Sequence, residues 1–135
     1  MSEVILSRTL INGMLSHAQH SPETEVCGLI ATAPDGAFRV YPVANVAGDA
    51  EHLFRMDPVA QIDAMRRMRE AGEELFAIYH SHPHTPAEPS ARDIAEAAYP
   101  QALYLIISLN TTGVLELRGF RLAQGRMESV ELTVK

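Results

Sequence analysis

Between Leu75 and Asp93 the chain changes character twice. An apolar run, Leu75-Phe76-Ala77-Ile78-Tyr79, ends in His80-Ser81-His82; a loop stiffened by Pro83, Pro86 and Pro89 follows, and Ser90-Ala91-Arg92-Asp93 then opens a helix. A strand ending this way projects both imidazoles from one side, because alternate residues of a strand share a face. Asp93, at a rigid helix start, brings a carboxylate as a third candidate ligand. Two histidines and one carboxylate leave a fourth tetrahedral position open to water, the pattern of a hydrolytic rather than a structural zinc site.

Each of these residues also has a plainer explanation. A lone His-x-His pair at a strand end is weak evidence of a metal. Ser90 to Asp93 spells a capping box, with a hydroxyl at the cap and a carboxylate three residues on, and the two oxygens of Asp93 leave room for both duties. His84 follows Pro83 into irregular structure, where alternation no longer applies, and is expected in an exposed loop. His17, His20 and His52 lie near helix ends or loops and read as structural or solvated.

With 135 residues, 47% of them apolar and 21% charged, the chain has the make-up of one globular domain spanning 1–135. A net charge of −6 argues against nonspecific nucleic-acid binding, which depends on Lys and Arg neutralising phosphates. The single cysteine, Cys27, excludes an intramolecular disulfide and fits a reducing compartment. Glu3, Arg8 and Asn12 interrupt the apolar residues of the first segment, so no signal peptide is expected, and no apolar run approaches the roughly 20 residues that cross a bilayer. A soluble cytoplasmic protein that does not enter membranes is the expectation.

Periodicity places the remaining elements. After an extended segment at Val4–Leu6, Ser7 caps a helix whose residues Leu10, Ile11, Met14, Leu15 and Ala18 keep the helical period as far as His20-Ser21-Pro22. The run Val26–Ala31 and the turn Pro34-Asp35-Gly36 predict a buried strand paired by a hairpin with Phe38–Val43. A loop, Ala44–Met56, leads to a helix capped by Asp57, begun by Pro58 and ended by Gly72, with Val59, Ile62, Met65 and Met68 as its buried stripe. Arg66, Arg67 and Arg69 fall on its solvated side. A strand at Leu75–His82 precedes a helix at Ala91–Ala98 closed by Pro100. Further strands are expected at Ala102–Ser108, at Val114–Leu122 after the turn Thr112-Gly113, and at Met127–Val134. Strands dominate with helices interspersed, so the fold class is α/β, with α+β open: a mixed β-sheet flanked by helices.

Hydrolysis at such a site needs a general base held near the metal, usually a glutamate. Glu25, just ahead of the buried run at Val26, is the best placed. Glu88, nearer in sequence but on the proline loop, is its rival.

At this point the residues resemble a family. Glu25 ahead of Val26-Cys27-Gly28-Leu29-Ile30, then His80-Ser81-His82, seven residues, Ser90, two residues and Asp93, is similar to the JAMM motif of the MPN+ metalloproteases, without gap or substitution. The likeness covers essentially the whole chain. It implies zinc held by His80, His82 and Asp93, with Glu25 rather than Glu88 handling the proton and Ser90 hydrogen-bonding the oxyanion. It implies a β-sheet between helices, related to the cytidine-deaminase architecture. It further implies hydrolysis after the C-terminal Gly-Gly of a ubiquitin-like protein. The short chain looks like the stand-alone prokaryotic type, whose members act on sulfur-carrier proteins and in some cases release cysteine. Two alternatives fit less well. A zinc deaminase would need a Pro-Cys-x-x-Cys segment, which is absent here, and a non-catalytic MPN-type binding module would lack the ligand set.

Overall fold

The structure, a computed structural model, describes residues 3–110 and 116–135 and is built on a mixed sheet of seven strands. In chain order the elements are β1 (Glu3–Leu6), α1 (Arg8–His20), β2 (Cys27–Thr32), β3 (Phe38–Val43), α2 (Pro58–Glu70), β4 (Glu74–His82), α3 (Ala91–Glu96), β5 (Leu103–Ser108), β6 (Glu116–Ala123) and β7 (Arg126–Val134). The strands lie in the order β1-β7-β6-β5-β4-β2-β3. The pairs β4–β5 and β1–β7 are parallel and the others antiparallel.

Alternation along the central strands separates two cores. Tyr79, Leu103, Leu105 and Ile107 pack with Leu10, Ile11, Met14 and Ala18 of α1. Ile78, Tyr104 and Ile106 face the other way, with Ala64 and Met68 of α2 and, at the margin, Ala97 and Tyr99 beyond α3. Strands covered on both faces read as continuous apolar runs, as β4 and β5 do. Gly28 stands opposite Tyr79 in the pairing of β2 with β4, and a Cβ there would lie 2.5 Å from the Tyr79 ring, so only glycine leaves that ring its place.

The caps are as expected: the Ser7 hydroxyl accepts from the Leu10 amide at 3.1 Å, and Asp57 accepts from the Val59 amide at 3.2 Å. Gly72 takes φ +70° just after α2. The α2 stripe differs from the expectation. Val59 and Ile62 are 77% and 69% exposed, while Ala64 and Met68 are buried. Steps of three residues fall about 60° short of a full turn, so residues 59, 62, 65 and 68 fan across half the helix surface and cannot all face the sheet. Val59 and Ile62 share the outer side with Arg66 and Arg69. Helix α3 also ends early, at Glu96 rather than Ala98, because the Tyr104 hydroxyl takes the amides of Ala98 and Tyr99 at 3.2 and 2.9 Å. The expected turn at Thr112-Gly113 and the first residues of the strand after it, Val114 and Leu115, lie outside the described residues.

Candidate active site

The carboxyl end of β4 carries His80 and His82, and the open end of a central parallel strand is where α/β sheets commonly place ligands. The two Nε2 atoms stand 3.1 Å apart, and each lies 3.2 Å from Asp93 Oδ2. Both histidines are buried, and the Asp93 side chain is only 9% exposed. His82 Nδ1 donates to the Pro86 carbonyl at 2.8 Å, which leaves its Nε2 lone pair aimed at the cluster. The proline loop thereby sets the orientation of a ligand candidate.

Asp93 is presented by the start of α3. Its amide donates to Ser90 Oγ at 3.0 Å, and the Ser90 amide donates back to Asp93 Oδ2 at 2.9 Å, completing the capping box. The two duties foreseen for Asp93 do not fall on separate oxygens: Oδ2 serves both the cap and the histidines. Ser90 is exposed at the rim. Its Oγ accepts in the cap and keeps its own proton free to donate.

Glu25 arrives from 55 residues upstream through strand pairing. Cys27 pairs with His80 in the antiparallel register of β2 with β4, and opposite residues of such a pair share a face. Continuing that register sets Val26 against Ser81 and Glu25 beside His82. Ser81, pointing to the opposite side from the histidines, locks the alignment: its hydroxyl accepts from the Val26 amide at 2.9 Å, and its amide donates to the Val26 carbonyl at 3.0 Å. Glu25 is 5% exposed, and its Oε1 is buried with no hydrogen-bond partner among the described residues. Such an atom is costly unless a cation or water meets it. One donor atom each from Glu25, His80 and His82 lies within 4.8 Å of the others, a group that could hold a metal ion. Glu88, the rival, is exposed and paired with Arg118 at 3.6 Å.

The two carboxylates are driven in opposite directions. Burial raises Glu25 to about 7, helped by the negative charge of Asp93 and opposed by His82. For Asp93 burial acts upward as well, but the imidazoles of His80 and His82 beside it and the hydrogen bond from the Ser90 amide outweigh it and hold the group well below the usual carboxylate range. Burial lowers His80. On His82 burial is outweighed by Asp93 and the Pro86 carbonyl, and its pKa is raised. A pair of acids split this way supplies one permanently ionised group and one able to exchange a proton near neutrality.

Beside His80 and Asp93 opens a cavity of about 320 Å³, walled by Leu53–Met56 and the start of α2 on one side and by Arg92 and Glu96–Tyr99 on the other. Phe54 stacks on the His80 ring, centroids 4.5 Å apart and planes 25° off parallel. Neither Phe54 nor Ser81 stood out in the sequence. An inward-facing serine between the two histidines was the available signal for Ser81; Phe54 had none. The other histidines fall where expected. His84 is exposed and pairs with Glu51 at 3.1 Å, His52 pairs with Asp49, and His17 bonds to Tyr79 on the far face.

By fold and by its relatives the chain is a JAMM-type peptidase. The chain belongs to the family of prokaryotic homologs of the JAB domain, which it matches over residues 7–122. It is 32% identical over 134 residues to the CysO-cysteine peptidase of Mycobacterium tuberculosis, covering 97% of this chain and 90% of that one. With the desampylase of Haloferax volcanii it shares 33% identity over 113 residues, covering 79% of this chain and 81% of the relative. The solution structure of a protein from Desulfitobacterium hafniense superposes with a TM-score of 0.84 at 35% identity, over 99% of this chain and 93% of that one.

Proposed function

We propose that this peptidase is zinc-dependent and hydrolyses the bond after the C-terminal Gly-Gly of a small ubiquitin-like or sulfur-carrier protein, acting in the cytoplasm. The observation that carries the reading is the convergence of His80, His82 and Asp93 Oδ2 beside a buried Glu25 Oε1 that has no partner among the described residues, at the end of a groove. Three ligands of this kind fit zinc, and the donor cluster has more lone pairs than protons to share among them. When bound, zinc would supply a Lewis acid that polarises the scissile carbonyl and acidifies a water.

The rest falls to the chain. His80, His82 and Asp93 would hold the ion, with Asp93 kept ionised by its surroundings. Glu25, raised to about 7, takes a proton from the attacking water and delivers it to the leaving amine. The Ser90 hydroxyl donates to the oxygen that gains charge as the carbonyl becomes tetrahedral. The groove beside Phe54 receives the extended tail. Glycine suits it there, since only a residue without Cβ brings its backbone so near the cluster. The names of the relatives, one a CysO-cysteine peptidase and one a desampylase, support a small carrier as the substrate.

Incubation of the zinc-loaded protein with carrier proteins extended beyond Gly-Gly, followed by mass spectrometry, tests this. Products ending at Gly-Gly are expected, with strong loss when the last glycine is alanine. Cleavage elsewhere, or equal rates for the alanine substrate, would refute the substrate assignment.

A further inference from the structure

The side chain of Asn45, in the loop between β3 and α2, bonds to the backbone of the base and of the groove wall without itself lining the groove. Its Nδ2 donates to the carbonyl of Glu25 at 2.9 Å and to that of Leu53 at 3.1 Å. Its Oδ1 accepts from the amides of Ala47 and Arg55, both at 3.0 Å. One half-buried amide therefore serves four backbone groups, drawn from the base and from both arms of the loop. The loop returns the connection: the Glu25 amide donates to the Ala50 carbonyl at 2.7 Å, so the base is clasped on both sides by the same segment. The far arm of that segment, Leu53–Met56, walls the groove, and its Phe54 stacks on His80.

We propose that Asn45 is a positioning residue that seats Glu25 and the groove wall together, so that a substrate tail lying against Leu53–Met56 is registered to the base by one side chain. This rests on the peptidase reading above. Supporting groups of this kind act through the orientation of others, and their loss costs about 10- to 100-fold in activity.

The test measures zinc content, thermal midpoint, kcat and KM on a carrier extended beyond Gly-Gly. Asn45→Asp keeps an oxygen for Ala47 and Arg55 but strips the Glu25 and Leu53 carbonyls of their donor; kcat per bound zinc should fall about 10-fold or more. Asn45→Ala should add a rise in KM, because the loop loses its anchor as well. Zinc content should hold in both. A merely structural role would lower the midpoint and the active fraction while leaving kcat and KM per bound zinc unchanged, and that result overturns the proposal. Should the variants not fold, hydrogen exchange on the wild type decides. A bound peptide ending in Gly-Gly should slow the amides of Glu25, Ala47 and Arg55 together, and a change confined to the groove wall contradicts the coupling. A wild type that cleaves nothing refutes the peptidase reading instead, and this inference with it.

Discussion

Tyr79 and His80 are neighbours in β4 that point to opposite faces of the sheet, and the company each keeps shows how one fold separates structure from chemistry. On the α1 face the Tyr79 hydroxyl meets the half-buried His17 Nδ1 at 2.7 Å, edge against ring, at the margin of an apolar core. One donor meets one acceptor there. Burial lowers the His17 pKa, so the pair stays neutral. On the other face His80 meets His82 and Asp93 with Glu25 close by, and one carboxylate oxygen has no partner among the described residues. That cluster has a surplus of acceptors, which only a cation or water can balance. A histidine held by a neighbouring side chain is therefore not informative alone; the balance of lone pairs around it is.

Breaking the site face should have the largest effect. Asp93→Ala removes the oxygen shared by both histidines, and elemental analysis should find metal falling from about one per chain toward none, with turnover at background. Retained metal would remove Asp93 from the ligand set. Next in size, Gly28→Ala drives a Cβ into the Tyr79 ring and should destabilise the fold by about 1–3 kcal/mol in denaturant titration. Activity per zinc-loaded molecule should be unchanged. Milder again, Tyr79→Phe deletes the bond to His17 at a cost of about 1 kcal/mol, with metal content and kcat at wild-type values. A fall in kcat there would mean that the faces are not independent.

The smallest effect is a difference of sign. In metal-stripped protein Glu25 titrates near 7 against an ordinary value of 4.5, so the folded state holds the extra proton between those values and stability falls as pH rises through them. His17, lowered from 6.5, works the opposite way: the unfolded chain binds the proton more readily, and stability is lost as pH falls below 6.5. Glu25→Gln and His17→Gln should therefore shift the pH dependence of denaturant stability in opposite senses. Parallel shifts would contradict the two assignments.

How far the sequence could be read follows the same division. The β4-loop-α3 segment was legible because strand alternation and a helix cap are local, and both hold in His80, His82 and the Ser90–Asp93 box. Glu25 was only a candidate from its own surroundings, since its approach to His82 depends on the pairing of Cys27 with His80 across a long connection. The motif resemblance singled it out before the pairing could be seen. Asn45 and Phe54 lie in a loop without periodicity, and no short-range rule reaches the four backbone groups that Asn45 holds. Val59 and Ile62 are apolar yet face outward, because the helical drift of residues three apart carries them off the stripe that faces the sheet.

The proposed mechanism divides the carboxylates of the site, Asp93 binding metal and Glu25 moving the proton. Glu25→Gln keeps the shape and removes the basicity, and metal content should be read beside single-turnover cleavage of a Gly-Gly-extended carrier. About one zinc per chain is expected, as in the wild type, with cleavage slowed at least about 100-fold. Loss of zinc from this variant would make Glu25 a ligand, and undiminished cleavage would place the base elsewhere; either result contradicts the division.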